Sequence, residues 1–225
     1  MKAILAALAA LFTHSPAETI PAGELRISTE SRDMILFYET GGQGYYQARL
    51  SHPTVPPGQS GITIGIGYDL GYNTPSQIRA DWKGEIPEPQ LERLAGVAGR
   101  TGSSAKAALS RVRDIVIPWE SASRVYERRT VPRFAAMTAA TYQGIKNQDP
   151  HIQGVMLSTT FNRGTAMSPY ERRKELVWTR DDLRAGRNAK LPDYQLSMRR
   201  LWPTIPGLQK RYAAHAGLMN KALTK

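Results

Sequence analysis

Two acids and one hydroxyl carry the chemistry this sequence offers. Glu39 stands in "MILFYETGG" as the last charged residue before Gly41-Gly42, and Thr63 and Asp69 bound the stretch "TIGIGYD". A helix stopping at a glycine pair carries roughly half a negative charge at its end, which favours Lys or Arg there by about 0.3–1 kcal/mol. Glu39 breaks that rule. Both the dipole and burial against "ILFY" disfavour its anion, so the carboxyl is expected to hold a proton at neutral pH. Asp69, at an open strand end with a hydroxyl nearby, is expected to ionise normally. One protonated and one ionised carboxyl are what general acid and general base catalysis of glycoside hydrolysis require. The acid protonates the leaving oxygen while the base, helped by Thr63, orients a water.

The elements that must position these groups are legible in outline. Ser31 is the expected N-cap of a helix over residues 31–40, with Met34, Ile35 and Tyr38 on its apolar side. "GYYQARL" and "GITIGIGYDL" have the aromatic and β-branched residues and Gly boundaries of short strands, joined by the loop "SHPTVPPGQS". Read as one strand, the second segment puts Thr63, Gly65, Gly67 and Asp69 on one face, with the glycines leaving a shallow slot. It lacks the third Gly and the crossover helix of a dinucleotide-binding fingerprint. From Pro75 onward the pattern is helical. Ser168-Pro169-Tyr170-Glu171 predicts a helix start, and His151 to Arg163, with Ile152, Val155, Met156, Leu157 and Phe161, predicts a central buried helix ending at Gly164. The expected class is α+β: a β-lobe at about 41–74, a helical lobe at about 75–225 joined by the helix 31–40, and a cleft between them.

Charge and composition narrow the partners. Thirty Lys and Arg against nineteen Asp and Glu give a formal charge of +11, so an extended partner is expected to be a polyanion, here an anionic envelope polymer. The basic residues are scattered, without the aromatic and basic interleaving or the motifs of nucleic-acid binding, so no nucleic acid is expected. No cysteine is present, which excludes disulfides and thiolate chemistry; His14, His52, His151 and His215 have no ligand spacing, so neither metal nor cofactor is expected. The leader "MKAILAALAALFTHSPAET" has one Lys, an apolar run from Ala3 to Phe12 and small residues at Ser15 and Ala17. That run is short of the ~20 residues a membrane span needs. Residues 1–17 therefore read as a signal peptide or releasable anchor with transient membrane contact, and 18–225 as a single exported, periplasmic or secreted domain, monomeric.

"FYETGG", "GITIGIGYDLG" and "FNRG" at 161–164 together resemble the phage-type lysozymes, and by the Thr63-to-Asp69 spacing especially the pesticin-like muramidases of bacteriocins, lysins and secreted antibacterial effectors. The resemblance runs from about Ser28 to Met219. It implies a lysozyme-like fold and inverting hydrolysis of the β-1,4 bond between N-acetylmuramic acid and N-acetylglucosamine in bacterial peptidoglycan. It implies Glu39 as proton donor, Asp69 as base or electrostatic partner and Thr63 as the water-positioning hydroxyl, with Tyr68, Asn162, Arg163 and Arg211 as substrate-binding positions. A cation from the C-terminal helices is expected to approach Glu39, and "RLWPTIPGLQKRY" offers both Lys210 and Arg211. Trp202 is expected to pack in the core. The simplest phage lysozymes carry their Asp before the Thr, where this chain has Pro57, and Tyr68 stands where a His is often found. Two alternatives stay open: lytic transglycosylation, for which Glu39 alone suffices, and a catalytically silent, basic wall-binding module. An immunity protein is a further possible partner of this class.

Overall fold

The computed structural model describes residues 18–168 and 170–224, so the expected leader lies outside the described residues. The chain enters through an antiparallel hairpin absent from the sequence reading, β1 (Thr19–Ala22) and β2 (Leu25–Ser28), with Ile20 opposite Ile27. Its turn needs Gly23, whose φ is +60° and whose position leaves 2.8 Å between a would-be Cβ and the Pro132 backbone.

Helix α1 (Thr29–Thr40) starts at Ser28, three residues before the expected cap. The Ser28 hydroxyl accepts the Ser31 N–H at 3.1 Å and shares a 2.8 Å hydrogen bond with His151 Nδ1. That tertiary contact selects between two serines that local preference alone does not separate. The other end is as expected: Gly41 caps α1 at φ +74°, its N–H bonding Phe37 O, and no basic residue occupies the last turn.

"GYYQARL" is a helix, not a strand. In α2 (Gln43–Arg49) Tyr46 is fully buried, its hydroxyl donating to Ile117 O at 3.0 Å and its ring set edge-on to Trp119. Burial of that one ring, worth ~2–3 kcal/mol, outweighs the small strand preference of the tyrosines. "TIGIGYD" is likewise not one strand but a hairpin, β3 (Thr63–Ile64) and β4 (Tyr68–Asp69), with Thr54 bridged to Thr63. Gly65 (φ +56°) and Gly67 (φ +72°) turn the chain rather than emptying a strand face. The slot is therefore absent, and Thr63 instead faces Asp69 directly across the strand pair.

The rest is helical: α3 (Pro75–Trp82), α4 (Glu88–Ala95), α5 (Gly102–Ala108), α6 (Trp119–Val125), α7 (Val131–Thr141), α8 (Pro150–Arg163), α9 (Lys174–Arg184), α10 (Leu191–Met198) and α11 (Pro206–Leu223). With two separate two-stranded sheets among the described residues, the protein is α+β in content. A wide π turn, Tyr126–Thr130, joins α6 to α7 without a break. Pro132 supplies a physical reason: it has no N–H for the carbonyl four residues back, and a wider turn accommodates the missing bond.

Helix α8 is the central element the apolar pattern predicts. Every side chain from His151 to Thr160 is buried, and the Thr159 and Thr160 hydroxyls donate to the Val155 and Met156 carbonyls at 2.9 and 3.0 Å. Those bonds let polar residues sit in a core whose Ile152, Val155, Met156 and Leu157 each contribute about 1.5–3 kcal/mol. At Gly154 helix α1 comes so close that an added Cβ would lie 2.1 Å from Ser31 Cβ. Helix α9 begins at Lys174, not at Ser168; Glu171 pairs with Lys174 and Arg200 instead of capping a turn, and Pro169 lies outside the described residues. Among the described residues no helix is long and apolar enough to cross a membrane.

Candidate active site

Glu39 sits in the last turn of α1, about a quarter exposed, and Arg211 of α11 reaches it across the core. Arg211 Nη2 donates to Glu39 Oε1 at 2.8 Å and also meets the carbonyl and hydroxyl of Ser158, each at 2.9 Å. Its guanidinium lies 5.6 Å from the centre of the Tyr38 ring. Arg211, not Lys210, is thus the cation at the helix end. It supplies in space the positive charge that the last turn of α1 lacks in sequence. Being 4% exposed, it is a partner of Glu39 rather than a surface contact.

The hydrogen bonds behind Arg211 fix a tautomer. Gln195 Oε1 can only accept, so His215 Nδ1, 2.8 Å away, carries the ring proton and donates it. Nε2 of the neutral ring then accepts from the Ser158 hydroxyl at 2.9 Å, whose oxygen in turn accepts from Arg211. Burial, and then the positive Arg211, hold His215 well below the ordinary imidazole range, so the ring is neutral. A neutral His215 adds no second positive charge beneath Arg211.

In front of Glu39 lies an open pocket of about 180 Å³ lined also by Ile66, Gly67, Tyr126, Thr130, Phe134 and Phe161. One wall is the β3–β4 turn and the other is the π turn with α7 and α8. Asp81 ties the two walls together. It accepts the Tyr68 hydroxyl at 2.8 Å and pairs with Arg129 Nε at 2.7 Å, while Glu85 pairs with Arg124 and Arg128. Burial works against ionisation of Glu85, but its two arginine bonds outweigh that and hold the carboxyl below its ordinary range.

The other expected site residues have different surroundings. Asp69 Oδ1 accepts the Gly71 N–H at 2.7 Å and Oδ2 the Gly61 N–H at 3.0 Å, so both oxygens cap backbone turns. Neither Asp69 nor Thr63 lines the Glu39 pocket, although they face each other on the hairpin that forms its wall. Tyr68, expected to bind substrate, is buried edge-on to Trp82, and its hydroxyl is spent on Asp81. Asn162 Oδ1 accepts the Tyr212 hydroxyl at 2.7 Å, and Arg163 stacks over Trp202 at 4.9 Å. Trp202 lies flat on Tyr212, in the core-packing role expected of it. Of "FNRG", the residue that reaches the pocket is Phe161.

Sequence reasoning missed Tyr126, Phe134, Ser158 and His215. Only Pro132, inside an otherwise helical run, marks the π turn that carries Tyr126. Residues 35–137 match a family model described as a domain of unknown function (DUF8812). That range holds Glu39, the β3–β4 hairpin and Tyr126, and stops short of Ser158 and Arg211. No curated protein matches the chain.

Proposed function

We propose that this protein is an exported muramidase with a lysozyme-like fold, acting on bacterial peptidoglycan. The observation that carries the reading is Glu39 itself, a carboxyl at a helix C-terminus, opening on an aromatic pocket and held by the buried Arg211 from the far end of the chain. Glu39 donates its proton to the glycosidic oxygen as the bond from C1 to that oxygen breaks. In the hydrolytic course a water attacks C1 from the opposite face, its proton taken by Asp69 and its position set by Thr63. Inversion by this course calls for carboxyl groups about 6.5–9.5 Å apart, with the water between them. The +11 charge favours approach to an anionic wall.

A second reading has an observation of its own. Both oxygens of Asp69 are taken by backbone N–H groups, and among the described residues Glu39 is the one carboxyl lining the pocket. That arrangement favours lytic transglycosylation, in which a hydroxyl of the sugar replaces water and Glu39 serves as acid and then base. Digestion of purified murein by the wild type and Glu39→Gln, analysed by mass spectrometry, separates the cases. Products carrying an added water support hydrolysis; anhydro-sugar ends alone assign transglycosylation. Undiminished wall clearing by Glu39→Gln would remove both.

A further inference from the structure

Tyr126 opens the π turn and is 3% exposed. Its ring stacks on Phe161 at 5.6 Å between centroids, and Phe161 stacks on Phe134 at 4.1 Å, both at 26°. Yet the Tyr126 hydroxyl, buried, meets no hydrogen-bond partner among the described residues. Native proteins rarely leave a buried phenol unpaired, and each such group calls for an explanation; the Tyr142 hydroxyl is unpartnered too, but of the two only Tyr126 lines the pocket of Glu39. Burial, with the nearby Glu39 charge adding to it against an opposing Arg211, pushes the phenol well above its ordinary range. The group therefore stays a neutral hydroxyl, able to donate a hydrogen bond.

The remaining walls say what the donor meets. Ile66, Phe134 and Phe161 are apolar, and among the described residues the one polar side chain lining the pocket apart from Glu39 and Tyr126 is Thr130. A sugar face bearing only hydroxyls asks for several polar partners, which these walls lack. An acetamido group asks for one donor at its carbonyl and an apolar surface for its methyl. A free amino group, charged at neutral pH, can only donate, so it leaves the phenol proton without an acceptor and brings no methyl to the aromatic walls.

We propose that Tyr126 is a specificity-determining residue of the Glu39 site, donating its hydroxyl to the acetamido carbonyl of an N-acetylated hexosamine whose methyl group packs on Phe134 and Phe161. This assignment rests on the muramidase reading for its natural substrate, but its contact is testable apart from cleavage. Tyr126→Phe keeps the stacked ring and removes only the oxygen. On N-acetylated murein the variant is expected to lose about tenfold to a hundredfold in kcat/KM, chiefly through a higher KM, with an unchanged or higher melting temperature. On chemically de-N-acetylated murein the two proteins should perform alike, because the bond is already absent from both. Binding of tetra-N-acetylchitotetraose, followed by calorimetry, should weaken by the same factor in the variant.

Full activity of Tyr126→Phe with an unchanged preference for acetylated murein would overturn the assignment and leave the muramidase reading standing. A wild type that binds the tetrasaccharide through Tyr126 without cleaving murein would do the reverse. A wild type that neither binds nor cleaves removes both. If the variant does not fold, the wild type alone decides, since equal use of acetylated and de-acetylated murein contradicts the proposal.

Discussion

Arg211 Nη2 stands 2.8 Å from Glu39 Oε1, and the pair is asymmetric: the arginine is 4% exposed while the glutamate keeps about a quarter of its surface. The buried member therefore depends on the open one. Removing one partner of a buried pair strands a charge, whereas an exposed pair costs little. Arg211→Met is expected to destabilise the fold by ~3 kcal/mol, at the low end of the buried-pair range because Glu39 remains partly hydrated. Urea denaturation checks the stability. Murein turnover should fall in the same variant at temperatures where it is still folded.

Glu39→Gln keeps an oxygen to accept from Arg211 but has no proton to deliver. Its turnover is expected to fall at least ~10²–10⁴-fold, the range that a general acid contributes. The melting temperature should fall by less than in Arg211→Met, since the guanidinium retains a hydrogen-bond acceptor.

Asp69 gives a prediction that separates stability from chemistry. Asp69→Ala removes the caps on Gly61 and Gly71, each worth about 1 kcal/mol, so ~2 kcal/mol should be lost in a denaturant titration. If Asp69 also serves as base, turnover falls ~100-fold or more while the protein is still folded. If Glu39 works alone, turnover tracks the folded fraction.

His215 predicts a pH effect whose sign follows from its burial. The folded protein holds it neutral, with its proton affinity depressed, while the unfolded chain binds a proton below about pH 6.5. The unfolded state then holds more protons, so stability rises with pH through that window. The contribution is fully present above pH ~6.5 and is lost progressively as pH falls below it. Melting temperatures of the wild type should drop between pH 7 and pH 5, and His215→Gln should show a shallower drop from a lower starting value.

Gly154 tests the closeness of α1 and α8. Alanine is the better helix former by ~1 kcal/mol, yet its methyl would meet Ser31 at 2.1 Å. Overpacking is expected to prevail, with a net loss of ~1–3 kcal/mol in denaturation. Ser31→Gly in the same chain should recover part of it.

How far the sequence could be read depended on whether local forces decided the outcome. Helix α8 was legible because its apolar residues leave little polar face, and the end of α1 was legible because a glycine at position 41 tolerates the left-handed cap. The N-cap of α1 was not, since His151 chooses Ser28 from across the core. Helix α2 was misread because Tyr46 owes its conformation to Ile117 and Trp119. In "TIGIG" the glycines signalled an unusual backbone, but a flat strand and a tight turn share that composition. Glu39 stood out as a local anomaly. Its cation did not, because Lys210 and Arg211 are neighbours in sequence and only the packing of α11 against α8 brings Arg211 to Glu39.

The separation of 172 residues between Glu39 and Arg211 has a kinetic side. Closing so long a loop returns nothing until both ends are in place, and contacts of that span form late. A growing or truncated chain that stops before residue 211 lacks the charge that holds the acid. The Glu39–Arg211 pair thus comes into being only when segments from opposite parts of the chain dock, and partly made or clipped molecules are without it.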